Sequence, residues 1–377
     1  MVEPRCPYFG KCGGCSLQNI EYVYQLKDKK RALVDAARFG DVEVFSDVDY
    51  EYRNRMDFVF HRTGLGLREK GNWKSVVDVK TCVIAEPKIN ELLNEIRDYF
   101  REVDYFDVNK KTGTFRYAVI RTAIDSSISF VLNEDSSRLS QAIEKIKEFA
   151  EKTSADNVVV TYVPANTDVT VGSEFFVLKG EDNLHETHLG KKFSYSVQGF
   201  FQNNHKMAEK MQKYVHELLS KYETKKAHLL DLYGGVGTFG IMNSEIFKTT
   251  QTVEAVKECT DSANVNIENN DAKNVKAITL DAKNIRRLKL ESPLFVITDP
   301  PRSGMDEKTI QHLNLIKPEL IIYISCNVEQ LRKDIPKLKN HEVKSAALFD
   351  LFPQTPHSEA VVELVLRKGD VGAEKSF

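Results

Sequence analysis

No stretch of this 377-residue chain reaches the roughly eighteen consecutive apolar residues of a membrane-spanning helix, and no secretory signal pattern opens it. A soluble, cytoplasmic protein is the expectation. A charge excess is missing too, because 53 Lys and Arg stand against 55 Asp and Glu, leaving a net −2. The whole molecule therefore exerts no general pull on nucleic acid. A local excess lies in 53–80, where Arg53, Arg55, Arg62, Arg68, Lys70, Lys74 and Lys80 face only Asp57, Glu69 and Asp78. It reads as a phosphate-binding strip or as the charged face of half-exposed strands. Cysteine is scarce and uneven: Cys6, Cys12 and Cys15 crowd the start, Cys82 stands alone, and Cys259 and Cys326 lie far downstream. Without a secretory signal, metal binding or catalysis is the better reading than disulfides.

The length exceeds one compact core, so two or three domains are expected. Pro4, Pro7, Gly10, Gly13 and Gly14 among the first cysteines predict a tight ligand-bearing loop over 1–16. Residues 19–38 hold good helix formers and no Pro or Gly. Strands are predicted at 56–60, 65–68 and 76–79, a helix at 86–101, strands at 115–123, 127–132, 157–163 and 168–172, and a helix near 136–152. This antiparallel α+β block ends near 185–195. A helix at 203–222 then opens an alternation with strands near 227–232, 251–255, 276–280, 294–298, 319–324, 345–350 and 360–366, the pattern of a parallel sheet with crossover helices. The last two are joined too tightly for a helical crossover and should pair antiparallel. The expected division is 1–190 and 191–377, with fraying from Lys368.

The apolar run Ile321-Ile322-Tyr323-Ile324 stops at Ser325-Cys326-Asn327. A buried strand that delivers a thiol at its C-terminal end puts it where open α/β sheets keep their ligand crevice. A lone cysteine is more often core. Here, however, Asp299 ends the preceding strand in Asp299-Pro300-Pro301-Arg302, and Glu359 opens the last one. One thiol and two carboxylates at strand ends point to covalent chemistry in one cleft. Read alone, Asp299 is a helix cap in a proline turn, and Glu359 an acid paired with Arg302 or a lysine.

Asp231-Leu232-Tyr233-Gly234-Gly235-Val236-Gly237-Thr238 turns a strand into a helix, and its glycines let backbone approach a ligand. The spacing is neither a phosphate-cradling Gly-Lys-Ser/Thr loop nor a strict G-x-G-x-x-G. Glu254, one strand on, can accept both hydroxyls of a ribose, and Asp281, after the third strand, can meet an adenine edge. That succession describes an adenosylmethionine pocket, with a nicotinamide site as competitor. Four thiolates suit structural zinc as well as an iron–sulfur cluster, and the compact three-plus-one spacing favours the cluster.

The segments Asp231 to Phe239, Asp299-Pro300-Pro301-Arg302-Ser303-Gly304, Ser325-Cys326-Asn327 and His357-Ser358-Glu359 stand in the order found in RNA uracil-C5-methyltransferases, and the chain resembles that family. Gln198-Gly199-Phe200-Phe201-Gln202-Asn203-Asn204 is similar to the family segment that supplies a glutamine to the cofactor. The N-terminal cysteines with Cys82 resemble the [4Fe–4S] site of many ribosomal-RNA members and some archaeal transfer-RNA members. The resemblance implies a Rossmann-like class I methyltransferase sheet at the C-terminus, with an N-terminal and central α+β RNA-binding domain carrying the cysteine loop. It implies Cys326 as nucleophile and Glu359 as general base. Gln202, Tyr233, Gly235, Thr238, Glu254, Asp281 and Asp299 would surround S-adenosylmethionine, and Cys6, Cys12, Cys15 and Cys82 would ligate the cluster. Three departures stand out. Gly234 replaces a frequent Cys, Val328 replaces the usual Pro after Ser-Cys-Asn, and the N-terminal β-barrel module of many relatives is missing, the cysteine loop starting within six residues of Met1.

Such chemistry needs these groups because C5 of uracil is a poor nucleophile. A thiolate adding at C6 makes an enolate whose C5 takes the methyl group. The Cys326 pKa is expected to be depressed by neighbouring donors or the cationic cofactor. Glu359 would remove the C5 proton, and Cys326 would leave by β-elimination. The base must also leave its stack. A cytosine-C5 enzyme is the first competitor, but Pro300-Pro301 lacks the second thiol usual in the RNA type. A non-catalytic iron–sulfur or zinc RNA-binding protein is the second, and Cys326 with Glu359 argues against it. The cluster and the missing barrel favour 23S ribosomal RNA, with position 54 of transfer RNA as the alternative. A monomer suffices for RNA in a single cleft.

Overall fold

Phe58, Phe60, Ile120, Phe130 and Val160 form one apolar face of a seven-stranded sheet in the computed structural model, which describes residues 2–367. The tail from Lys368 lies outside the described residues. The strands run, in spatial order, Asn72–Asp78, Gly64–Glu69, Arg55–His61, Phe115–Thr122, Ser126–Asn133, Asn157–Val163 and Phe175–Lys179. Helices Pro87–Tyr99 and Leu139–Ala150 add Leu92, Ile96, Ile146 and Phe149 to that core. The block is not wholly antiparallel. Ser126–Asn133 and Asn157–Val163 pair parallel, because the helix between them returns the chain in the same direction. Residues 168–172 are irregular rather than a strand. Their side chains bond across the sheet face instead: Asp168 accepts from Arg68 at 3.2 Å, and Thr170 donates to Asp57 at 3.0 Å. The strand falls later, at Phe175–Lys179.

The second sheet has eight strands in the order Val42–Phe45, His341–Phe349, Glu359–Leu366, Leu320–Ser325, Leu294–Thr298, His228–Leu232, Thr249–Glu254 and Val275–Thr279. The last two strands of the chain pair antiparallel, as their short connection requires. Glu359–Leu366 is inserted between Leu320–Ser325 and His341–Phe349 and runs against both. Helix Tyr22–Ala37 and strand Val42–Phe45 belong to this sheet although they precede residue 190. Val42 to Phe45 pair parallel with Ala346 to Phe349, and Leu33, Ala37 and Val42 join the second core. Buried polar bonds fix this return. Lys29 Nζ lies 2.7 Å from Asp350 Oδ1, and Tyr22 donates to Asp350 Oδ2 at 2.9 Å.

A hairpin, Asn183–His188 with Lys191–Ser196, connects the two sheets. Asn266, on helix Lys257–Asn269, accepts from Ser194 N at 2.7 Å and donates to Ser194 O at 3.0 Å. From the first sheet, buried Arg121 donates to Gly199 O at 2.6 Å, and Asn54 donates to Gln202 O at 3.2 Å and to Asn203 O at 3.1 Å. The segment 197–204 is thereby held from the first sheet while it faces the second. Among the described residues, no helix is long and apolar enough to cross a membrane.

Candidate active site

Strand register places the chemistry. Leu232 pairs with both Thr298 and Val253, so Tyr233, Asp299 and Glu254 stand in a row at the C-terminal edge. Ser325 pairs with Ala360, which brings Cys326 beside Glu359. Because the Glu359 strand runs antiparallel, its first residue meets the last residues of its parallel neighbours. A cavity of about 540 Å³ opens at this edge, within the size range of small-molecule sites. Gln202, Tyr233, Gly235, Thr238, Glu254, Asp299, Cys326 and Glu359 all line it, with Arg302 and Phe200.

Asp281 is the exception. It follows the Val275–Thr279 strand, but it does not line the cavity. Its carboxylate accepts from Lys283 N at 3.0 Å and pairs with Lys283 Nζ at 2.7 Å, capping its own short helix. Cys259, given no role by the sequence, does line the cavity. It lies in the first turn of the helix after Glu254, a position that the strand-to-helix alternation marks as facing the crevice.

The glycine turn is strained in the way its sequence allows. Tyr233, Gly235 and Gly237 have φ of 58°, 53° and 86°, the left-handed region where glycine carries no Cβ penalty. The Gly235 N–H then donates to Glu254 Oε2 at 3.1 Å, and the Val256 N–H to Oε1 at 2.9 Å. Both oxygens are oriented before any ligand arrives. At Gly234 a Cβ would lie 2.3 Å from Thr252 Cγ2, so the glycine at this position matches the threonine behind it.

Asp334, not singled out from the sequence, locks the surroundings of Cys326. It is fully buried and accepts from Tyr323 Oη at 2.7 Å, Met305 N at 3.2 Å and Gln330 Nε2 at 3.0 Å. It thus ties the end of the Pro-Pro-Arg-Ser-Gly loop to the strand and helix flanking Cys326. Gly304 (φ 80°) has no room for a Cβ, which would stand 2.3 Å from Asp334 Oδ2. Asn327, one residue past the thiol, donates to Arg302 O at 2.9 Å and accepts from Gln330 N at 3.3 Å, capping helix Val328–Asp334. The cap sets the turn that a proline at 328 would otherwise stiffen. Asp334→Ala leaves a buried hydroxyl and a buried N–H unpaired and is expected to cost about 2–5 kcal/mol, read as a lower urea midpoint.

The fold sets two acids beside the thiol. Burial, then the nearby Glu359 and Asp299, pushes Cys326 up to about 12, and Arg302 offsets only part of this. Glu359 and Asp299 are themselves held above the ordinary carboxylate range, Glu359 by burial and then by Asp299, and Asp299 by burial. Iodoacetamide alkylation of Cys326, followed by peptide mass spectrometry, should rise about tenfold per pH unit from 7 to 10 without a plateau. A plateau beginning at about pH 9 to 10 would mean an ordinary, solvated thiol.

A second cavity, of about 510 Å³, is lined by Cys6, Cys12, Cys15 and Cys82 together with Tyr8, Met56 and Asn203. Burial raises each thiol, and Cys15 senses Cys82, Cys12 and Cys6 in turn. Asn90 brackets Cys82, accepting from its N–H at 2.8 Å and donating to its carbonyl at 3.0 Å. The four cysteines thus line one chamber. Among the described residues no three His, Cys, Asp or Glu side chains are grouped as for a single metal ion.

A Rossmann-like sheet with a glycine turn, a ribose-ready acid and a thiol at one edge defines a class I methyltransferase. The chain belongs to the tRNA (uracil-5-)-methyltransferase family, whose profile matches residues 21–368, and it is an RNA (uracil-C5)-methyltransferase. It is 30% identical to the tRNA (uracil(54)-C(5))-methyltransferase of Pyrococcus abyssi, over 97% of this chain and 86% of that one. It is 32% identical to the Pyrococcus furiosus protein of the same name, over 96% and 85%. An uncharacterized RNA methyltransferase of Caldanaerobacter subterraneus is also 32% identical, over 96% and 84%. The crystal structure of the Pyrococcus abyssi enzyme in complex with S-adenosyl-L-homocysteine superposes with a TM-score of 0.79 at 26% identity, covering 94% of this chain and 86% of that one.

Proposed function

We propose that this protein methylates C5 of uridine 54 in transfer RNA, using S-adenosylmethionine, through a covalent bond between Cys326 and C6 of the uracil. The observation that carries the covalent mechanism is the convergence of Cys326, Glu359 and Asp299 on one cavity wall, with Glu254, Gly235 and Gln202 lining the same cavity. Support for transfer RNA, over the 23S ribosomal RNA favoured from the sequence, comes from the substrate named for the Pyrococcus relatives. In this reading residues 1–190 grip the RNA and residues 191–377 carry the chemistry, Tyr22 to Phe45 excepted.

The cavity fits the cofactor's chemistry. Glu254 presents two oriented oxygens to a ribose, the left-handed turn at Gly235 and Gly237 clears space for an amino-acid moiety, and Gln202, Tyr233, Thr238 and Asp299 complete the lining. Asp281 would reach an adenine edge only by releasing Lys283. S-adenosylmethionine, when bound, supplies an electrophilic methyl on a sulfonium cation. The cofactor's positive charge would offset Glu359 and Asp299, the acids that hold the Cys326 proton on, and so would favour the thiolate. With its proton passed to a neighbouring carboxylate or to solvent, Cys326 Sγ adds to C6, electron density moves to O4, and C5 takes the methyl group as S-adenosylhomocysteine leaves. The Glu359 carboxylate takes the C5 proton, and the C6–S bond breaks to restore the ring. The same reading gives Cys6, Cys12, Cys15 and Cys82 a [4Fe–4S] cluster with a structural role, because four protein ligands leave no open iron. Iron and sulfide analysis of anaerobically purified protein tests this part.

The test of the main reading is adduct trapping on RNA containing 5-fluorouridine, whose C5 substituent cannot leave as a proton. A denaturation-resistant complex is expected with transfer RNA, and it should disappear when position 54 is cytidine. A complex with ribosomal RNA alone would overturn the substrate assignment. No complex on either RNA, from protein that binds cofactor, would overturn the covalent mechanism.

A further inference from the structure

The single tryptophan of the chain, Trp73, is 55% exposed on Asn72–Asp78, the edge strand of the first sheet. An aromatic of this size gains most by burial, yet the groups over its ring are cations. The Arg68 guanidinium carbon lies 5.8 Å from its ring centroid and Lys74 Nζ lies 5.7 Å away. Arg68 is itself fixed: it donates to Tyr117 Oη at 2.7 Å and to Asp168 at 3.2 Å. Lys11, Lys70 and Lys74 around it are exposed and carry no ion pair among the described residues. The result is a rigid, half-open aromatic face within a positive rim.

The hairpin that carries Trp73 is also braced by the cysteine loop. Pairing of Arg55–His61 with Gly64–Glu69 extends only from His61↔Gly64 to Val59↔Gly66, which leaves the Arg68 to Lys70 end without its neighbour. The cysteine loop fills that slot. The Gly13 N–H donates to Arg68 O at 2.9 Å, the Lys70 N–H donates to Lys11 O at 2.7 Å, and Cys12 bridges Glu69. Arg68 and Asn203 line the same cysteine chamber, and Asn203 adjoins Gln202 of the active-site cavity. Arg68, Asn203 and Gln202 thus connect the surroundings of Trp73, by way of the cysteine chamber, to the active-site cavity.

We propose that the 64–78 hairpin is an RNA-gripping arm in which Trp73 stacks against one unpaired nucleobase of the substrate while Arg68 and Lys74 contact its flanking phosphates. The inference rests on the RNA reading above and deepens it by assigning a second contact, away from the methylated uridine. An aromatic face suits any base, and its cationic neighbours suit the backbone, which is how single-stranded segments are held without sequence readout. A paired duplex offers no free base face to such a platform.

Because Trp73 is the only tryptophan, intrinsic fluorescence excited beyond the tyrosine band reports on this residue alone. Titration with a transfer-RNA transcript should quench it, and a fully paired RNA duplex of equal length should not. Trp73→Ala, an exposed edge substitution, should raise the KM for transcript roughly 5- to 150-fold with kcat at saturating RNA within about twofold, and Trp73→Phe should recover most of the loss. Equal quenching by the duplex, or an unchanged KM in Trp73→Ala, overturns the platform. Wild-type methylation measured in parallel separates the two readings. Methylation without quenching removes the platform only, whereas quenching without methylation supports the platform and removes the assigned activity.

Discussion

Cys326→Ala should lower uridine methylation by at least about 10⁴-fold, the order seen when a nucleophile that works as part of a unit is removed. No RNA–protein adduct should form with 5-fluorouridine substrate. The reason is chemical rather than structural. The side chain lost is only half-buried, and the strand Leu320–Ser325 that delivers it is held by Glu359–Leu366 on one side and Leu294–Thr298 on the other. Thermal unfolding should shift little, and cofactor binding, measured by calorimetry, should survive, because the Glu254 and Gly235 contacts lie elsewhere in the cavity. Retained turnover in Cys326→Ala would assign the methyl transfer to direct attack and remove the thiol from the mechanism.

Glu359→Gln should separate the two halves of the reaction. Addition and methyl transfer do not need the carboxylate, but loss of the C5 proton does, so a methylated covalent complex should accumulate while turnover falls about 10²- to 10⁴-fold. A gel of denatured protein with labelled methyl groups reads the trapped species. Stability should move the other way. Burial holds the folded-state pKa of Glu359 well above its ordinary value, with Asp299 adding to the effect and Arg302 opposing it. The folded protein therefore binds this proton more tightly than the unfolded chain, and stability is lost as pH rises from the ordinary carboxylate range toward the folded pKa. Glutamine removes that loss. The variant should unfold at a higher temperature than the wild type at pH 8, and the gap should close below about pH 4. A lower unfolding temperature at pH 8 would show that the charge is paired more strongly than its surroundings indicate.

The parts of this site that the sequence displays are those fixed by strand ends. Asp299, Cys326 and Glu359 each terminate or open an apolar run, and a parallel sheet with one reversed strand brings such positions together without further information. Glu254 follows the same rule. What the sequence hides depends on partners far along the chain. Asp334 looks like any helical acid until Tyr323 and Met305 converge on it. Cys259 is one helical turn from visibility. Val42–Phe45 is a four-residue strand of ordinary pattern, and its membership in the second sheet is decided by Ala346 to Phe349, some 300 residues later. The surroundings of Cys326 were only partly legible, because the acids Glu359 and Asp299 reach the thiol from two other strands. The parallel pair in the first sheet was legible in principle, since a helix separates its strands.

The docking of residues 16–25 and 49–52 on the loop before Glu359 has a consequence for biosynthesis. Ser16 and Leu17 donate their N–H groups to Gln354 O, Gln25 bonds Gln354, and Tyr52 donates to Pro353 O. Residues 16–52 therefore find their docking surface about 300 residues further along the chain. Until that later segment has been made and folded, the earlier one lacks its partner, a state open to misassociation. Pairing of such remote segments is also intrinsically slow. A chain cut at residue 190 would consequently yield no self-sufficient C-terminal half, since its sheet would lack an edge strand and the loop before Glu359 would lose its anchor.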